Sequence, residues 1–316
     1  MRWLLALWGL LLTMAATSAD DTISRKEVSA AGFPATLTVP VGVTRPPVVL
    51  IIAGSGPTDR DGNSIAGIKA GYLLRLADGL AGKGIASLRY DKRGVAGSQP
   101  AGAEQDLTIA DFVDDAGAVF DWFAAREDIG PILIVGHSEG GLIALELAQR
   151  GKKAAGIILL ATPGRPLADT LRDQVVAYPE PLRGQALEMI GQIEAGGSVA
   201  DVPAPLAPIF RPSVQPYLRS VFALRLTEML ADLEIPALVI GGGTDIQVPR
   251  ADFDALSQAR PGVESRWFAG MNHVLVDAPA DRKANIETYL EPATALSDGL
   301  VDTVADFVTR AAKAAR

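Results

Sequence analysis

The stretch PILIVGHSEGG, Pro131–Gly141, decides how this chain is read. Its apolar run Ile132–Val135 has the character of a buried strand. It then breaks into Gly136, His137, Ser138, Glu139, Gly140 and Gly141. A turn needs one glycine. Several around one serine imply backbone packed too closely for side chains. SEGGLIALELAQRG, which follows, has the spacing of a helix closed by Gly151. G-x-S-x-G between a strand and a helix is the setting in which a serine sits on a strained turn. Its Oγ then stands above the sheet, and the helix N-terminus aims free amides at the same spot.

Outward from that turn, strand, loop and helix recur. PPVVLIIAG (Pro46–Gly54), IASLRYD (Ile85–Asp91), AAGIILLATP (Ala154–Pro163), PALVIGGGTD (Pro236–Asp245) and VESRWFAG (Val263–Gly270) read as strands. Helices are expected over Gly71–Gly84, Thr108–Arg126, Ala251–Arg260 and the C-terminal Leu300–Arg316, with Thr108 or Asp106 as a candidate N-cap for the second. This alternation predicts an α/β fold with a mainly parallel sheet flanked by helices. One interval breaks it. Residues 164–234 show helical periodicity around a proline-rich joint and no clear strand, so we read them as an inserted helical cap. The core is then 20–163 and 235–316.

A serine needs a base to act as a nucleophile. The chain holds two histidines. His137 adjoins Ser138, and neighbouring residues on such a turn point apart, so it is assigned to packing or a local hydrogen bond. His273, in the loop after the last strand, is left as the base. The acid that would orient it is Asp245, at another strand end; Asp277 and Asp232 are the rivals, Asp277 being only four residues from the base. Two amides must hold the oxyanion. One is that of Glu139. The other lies in AGSGP after a strand, by position Ser55, with Gly56 as the alternative.

With the order Ser138, Asp245, His273, the chain resembles the α/β-hydrolase superfamily from about Ser24 to the C-terminus. The resemblance rests on GHSEG, GGGTD, GMNH and RYDKRG. AGSGPTDRDGN with RYDKRG and GHSEGG is similar, more narrowly, to bacterial esterase-type serine hydrolases. It implies an α/β-hydrolase fold with a helical cap, and a triad here of Ser138, Asp245 and His273. The family often carries His-Gly where this chain has Ala53-Gly54, so the oxyanion loop departs from the family pattern there. Serine rather than aspartate at the nucleophile position argues against a dehalogenase.

Composition bounds the rest. With 316 residues, 48% of them apolar, the chain can bury a large core. A net charge of -8 and few aromatics argue against a nucleic-acid partner. The N-terminal MRWLLALWGLLLTMAATSA combines Arg2, a short apolar run and small residues. It reads as a signal peptide, 1–19, cut after Ala19 to leave Asp20 first, with no stable membrane anchoring afterwards. A periplasmic or secreted location follows. No cysteine is present, so no disulfide can form. DRDGN, Asp59–Asn63, lacks the later ligands of a calcium loop and is read as a salt-bridged turn. No metal and no cofactor are expected.

The reading is therefore a serine hydrolase acting on small-molecule carboxylic esters. A serine aminopeptidase of the proline iminopeptidase-like type is the alternative, and a non-catalytic binding protein on the same scaffold is the third. The apolar cap residues Val175, Val176, Ile190, Ile193, Phe210, Val221, Phe222 and Leu230 could line an acyl pocket or pack the cap on itself.

Overall fold

The computed structural model describes residues 22–100, 102–292 and 294–315, so the expected leader lies outside the described residues. The strands are β1 (Ile23–Ala30), β2 (Phe33–Pro40), β3 (Val48–Ile52), β4 (Ala86–Tyr90), β5 (Ile132–His137), β6 (Ile157–Leu160), β7 (Ala237–Gly242) and β8 (Val263–Phe268). They form one sheet of eight strands in the order β1-β2-β4-β3-β5-β6-β7-β8. β1 and β2 run antiparallel to their neighbours, and every pair from β4 to β8 is parallel.

Burial on both faces explains the continuous apolar runs. Val48, Leu50 and Ile52 of β3 pack into one core; Val49, Ile51 and Ala53 pack into the other. Successive strand side chains alternate sides, so a strand covered on both faces is apolar at most positions. The helices α1 (Tyr72–Gly82) and α11 (Leu300–Ala314) cover one face. On the other lie α2 (Ile109–Ala124), α3 (Glu139–Gln149) and α9 (Arg250–Ser257). Thr108 is the N-cap of α2, and the Asp111 carboxylate accepts from its amide at 2.8 Å.

Between β6 and β7 the chain forms five helices and no strand: α4 (Leu167–Val175), α5 (Leu182–Glu194), α6 (Ala207–Phe210), α7 (Gln215–Phe222) and α8 (Leu226–Ala231). A short α10 (Arg282–Glu287) follows β8. α7 packs on α2, and α8 packs on α3 and α9. Three features differ from the expectations. The β1–β2 hairpin and α10 were not foreseen, and the helical stretch Pro216–Leu233 is broken between α7 and α8. Arg225, at φ -118 and ψ 78, ends that helical geometry.

The sheet order reverses direction at β3. From β3 the chain steps to β4 on one side, then crosses to β5 on the other. In open parallel sheets the crevice at such a reversal, outside the carboxyl ends of the strands, is where ligands bind. The loops after β3 and β5 meet there, and they carry Ser55 and Ser138.

Candidate active site

The serine turn is built by close packing. Ser138 has φ 53 and ψ -121, a conformation that non-glycine residues rarely adopt. Its amide donates to Leu160 O (2.8 Å) and its carbonyl accepts from Gly141 N (2.9 Å), which hold it there. Glycine is required on both sides. A Cβ on Gly136 would run into the backbone of Gly140 and Gly141, and one on Gly140 would strike the carbonyls of Ile52 and Ala53. α3 therefore starts directly against β3. Gly54 is equally constrained: its Cβ would stand 3.1 Å from His137 Nδ1 and 3.2 Å from Ser138 Cβ. The loop after β3 thus lies flush on the serine turn.

Asp245 and His273 come together from two other strand ends. His273 Nδ1 lies 2.9 Å from Asp245 Oδ2, and both side chains are nearly sealed from solvent. A carboxylate can only accept, so Nδ1 carries a proton and donates to Asp245. The other oxygen, Asp245 Oδ1, accepts from the amides of Gln247 (2.7 Å) and Val248 (3.0 Å). Asp245 is thus both a turn-forming aspartate and the imidazole's partner. The rivals are elsewhere: Asp277 bonds Ser297 Oγ at 2.8 Å, and Asp232 caps the C-terminus of α8.

β8 is three strands from β5, roughly 14 Å at the usual strand spacing. The His273 loop must therefore fold back over the sheet. Asn272 knots it: its Oδ1 accepts from the amides of Val274 and Val276, and its Nδ2 donates to Thr288 Oγ1 (2.8 Å). His137 then ties the loop to the serine turn. Its Nε2 lies 2.8 Å from His273 O, and its Nδ1 lies 3.2 Å from Tyr72 Oη. A carbonyl only accepts, so His137 is the Nε2–H tautomer and Nδ1 accepts from Tyr72. Burial, with the nearby His273, holds the His137 pKa well below the usual imidazole value. Burial raises that of Tyr72. Among the described residues Ser138 Oγ makes no hydrogen bond, including to His273. Nucleophile–base bonds often tighten only with substrate present.

The amides of Ser55 and Glu139 have no acceptor among the described residues; nor has that of Gly56. Beside them opens a cavity of about 450 Å³ whose walls include Gly56, Phe112, Glu139, Val214 and Tyr217. Its charged groups are paired: Glu139 with Lys92 at 3.2 Å, Glu104 with Arg211, and Arg93 with Asp115 at 2.5 Å. Of the apolar residues named above in 164–234, all but the exposed Val176 are buried and belong to the same hydrophobic core as one face of the sheet. Val214 and Tyr217 face the cavity instead. Asp59–Asn63 forms a turn in which Asp59 Oδ1 accepts from the amides of Asp61 (2.9 Å) and Asn63 (2.8 Å). Asp61 pairs with the buried Arg89, and Arg60 with Asp91 (3.1 Å) and Glu27 (2.6 Å). Among the described residues no cluster of carboxylates or histidines could hold a metal ion, and no helix is long and apolar enough to cross a membrane.

Two contributors were missed in the sequence. Tyr72 and Lys92 reach the site only through the packing of α1 and of the loop after β4. Neither has a spacing or composition signal that would single it out.

The fold is that of the α/β-hydrolases, and the sequence is similar to that of a bacterial esterase. The family model for serine aminopeptidases, S33, matches residues 67–191. Esterase EstD of Thermotoga maritima is 28% identical over 271 residues, which is 81% of this chain and 61% of EstD. The chain thus spans less than two thirds of that curated relative. The ferulic acid-bound Est1E of Butyrivibrio proteoclasticus is 18% identical and superposes over 90% of this chain and 96% of that one, with a TM-score of 0.59. The proline iminopeptidase of Mycobacterium smegmatis is also 18% identical, over 93% of this chain and 100% of that one, with a TM-score of 0.58.

Proposed function

We propose that the protein is a serine hydrolase that cleaves carboxylic esters through an acyl-enzyme on Ser138. The observation that carries this reading is the imidazole of His273, oriented by Asp245 at 2.9 Å and tied through its backbone to the residue preceding Ser138. In this reading Ser138 Oγ adds to the acyl carbonyl carbon while His273 Nε2 takes its proton. The carbonyl oxygen becomes an oxyanion that accepts from the amides of Ser55 and Glu139. Asp245 stabilises the imidazolium. The C–O bond breaks, the alcohol leaves with the proton from His273, and water, activated by the same imidazole, releases the acid.

An aminopeptidase would need a free carboxylate to hold the substrate's α-ammonium. The two carboxylates that line the cavity, Glu104 and Glu139, are already paired with cations. The cap acids Asp169, Asp173 and Glu180 pair with Arg172 (2.7 Å), Arg165 (2.6 Å) and Arg183 (2.6 Å). That favours an uncharged acyl group over an aminoacyl one. The S33 family match and the iminopeptidase neighbour keep the peptidase as the second reading.

The test is a panel of p-nitrophenyl esters of increasing chain length beside alanyl and prolyl p-nitroanilides. Turnover of the acetate or butyrate, abolished by Ser138→Ala, is the expected result. Efficient anilide cleavage, weakened by neutralising Glu104 or the cap carboxylates, would promote the peptidase. We also propose export: residues 1–19 read as a leader, and the intact mass of the secreted protein should begin at Asp20. A mass that retains residues 1–19 would speak for an uncleaved anchor.

A further inference from the structure

Lys92 lies in the turn after β4, and its side chain is almost wholly buried beside the serine turn. Its ammonium donates to the carbonyl oxygen of Gly54 and reaches Glu139 Oε1 at 3.2 Å. Both partners belong to the oxyanion side of the site. The Gly54 carbonyl is one end of the Gly54–Ser55 peptide, and the Ser55 N–H is the other end. In a trans peptide the two point in opposite directions. A cation fixed on the oxygen therefore fixes the N–H pointing away from it and increases that N–H's polarity as a donor. Glu139 supplies the second amide, as the first residue of α3.

Glu139 also poses an electrostatic problem. Its carboxylate belongs to the residue that supplies the second amide and lines the adjoining cavity, where an unpaired anion would oppose the reaction. Lys92 neutralises it. We infer that Lys92 is the positioning residue of the oxyanion hole, clamping the Ser55 peptide and cancelling the Glu139 charge at one point. The inference rests on the proposed serine-hydrolase reading. It also favours Ser55 over Gly56 as donor, because the clamped peptide is the one whose N–H belongs to Ser55.

The experiment compares Lys92→Met and Lys92→Gln with wild type on the best p-nitrophenyl ester and on an alkyl trifluoromethyl ketone. That ketone adds Ser138 Oγ to its carbonyl carbon; the Ser138 proton passes to His273 and the carbonyl oxygen becomes an oxyanion. Lys92→Met should lose about 10²- to 10³-fold in kcat, the scale of one lost oxyanion donor. KM should stay within about threefold, and the ketone's Ki should rise by the factor lost in kcat/KM. Lys92→Gln keeps an N–H for the Gly54 carbonyl but has no charge, and should fall between the two. Adding Glu139→Gln to Lys92→Met should recover part of the loss.

A merely structural role would lower the melting temperature and raise KM without the matched change in Ki. That result, or a Lys92→Met kcat within threefold of wild type, overturns the inference. If Lys92→Met does not fold, Lys92→Gln carries the same comparison: an unchanged Ki in a folded protein is equally fatal. A wild type that turns over no ester and binds no ketone would instead refute the serine-hydrolase reading itself.

Discussion

His137 and His273 stand with ring centroids 4.8 Å apart, yet their hydrogen-bond partners differ. His273 Nδ1 donates to Asp245, and its Nε2 has no hydrogen-bond partner among the described residues. His137 has both nitrogens engaged inside the protein. His273→Ala should therefore lose about a thousandfold or more in kcat. His137→Ala should lose far less kcat but about 2–4 kcal/mol of stability, since it leaves a cavity and strands the Tyr72 hydroxyl. Steady-state kinetics beside denaturant unfolding separates the two; the reverse pattern would exchange their roles. A pH effect follows from the depressed pKa of His137. Above the unfolded value of 6.5 the ring is neutral in both states and contributes nothing. Below it, the unfolded chain binds a proton that the folded one refuses, so stability falls as pH falls, by up to about 1.4 kcal/mol per unit. The unfolding free energy of His137→Asn should depend less steeply on pH in that window. Parallel curves for the two proteins would show that His137 is not held neutral.

At the scale of elements, the β1–β2 hairpin carries its own lesson. Ala30 pairs with Phe33, leaving Ala31 and Gly32 as a two-residue loop with φ of 51° and 93°. Two positive φ values define the turn type whose twist suits a hairpin, and asparagine–glycine is its usual sequence. Alanine in the first position is strained, and it also hid the hairpin from the sequence reading. Ala31→Asn should stabilise the protein by about 0.5–1 kcal/mol, read as a rise in melting temperature with unchanged activity. An unchanged or lowered melting temperature would mean that the turn carries no such strain. α2, by contrast, was bounded correctly because Thr108 and Asp111 are local signals. The break between α7 and α8 was not legible, since no glycine or proline marks it.

On the whole-molecule scale, the interval between β6 and β7 is joined to the rest by several polar links, among them Asp252 of α9, which accepts from the Gly164 and Arg165 amides and from Thr170 Oγ1. The Ile109 amide donates to Ser220 Oγ at 2.9 Å, and Arg211 pairs with Glu104 across the cavity wall. The Arg211–Glu104 pair is nearly half exposed, so its loss should cost under about 1 kcal/mol. Its place in the wall makes it matter more for substrate. Glu104→Ala should raise KM for the preferred ester several-fold with kcat within about twofold. A change in kcat alone would place the pair's influence on the chemistry rather than on the cavity.

The sequence by itself determined the parallel sheet, the serine turn and the pairing of Asp245 with His273. Short apolar runs rich in β-branched residues and bounded by glycine and proline fit strands covered on both faces. Glycines around Ser138 are demanded by backbone contacts that hold wherever this turn occurs. With two histidines in the chain, elimination left one candidate base. Tertiary structure alone decided the remainder. His137 was assigned to packing or a local hydrogen bond, but its partners, Tyr72 and the His273 carbonyl, lie 65 and 136 residues away. Lys92 was visible only as part of RYDKRG; that its ammonium meets Gly54 and Glu139 depends on β4 lying beside β3. Which cap side chains face the cavity depended on how α7 settles against α2. Local patterning records which way a residue faces within its own element. What it meets there is set by the neighbours that the sheet order brings alongside.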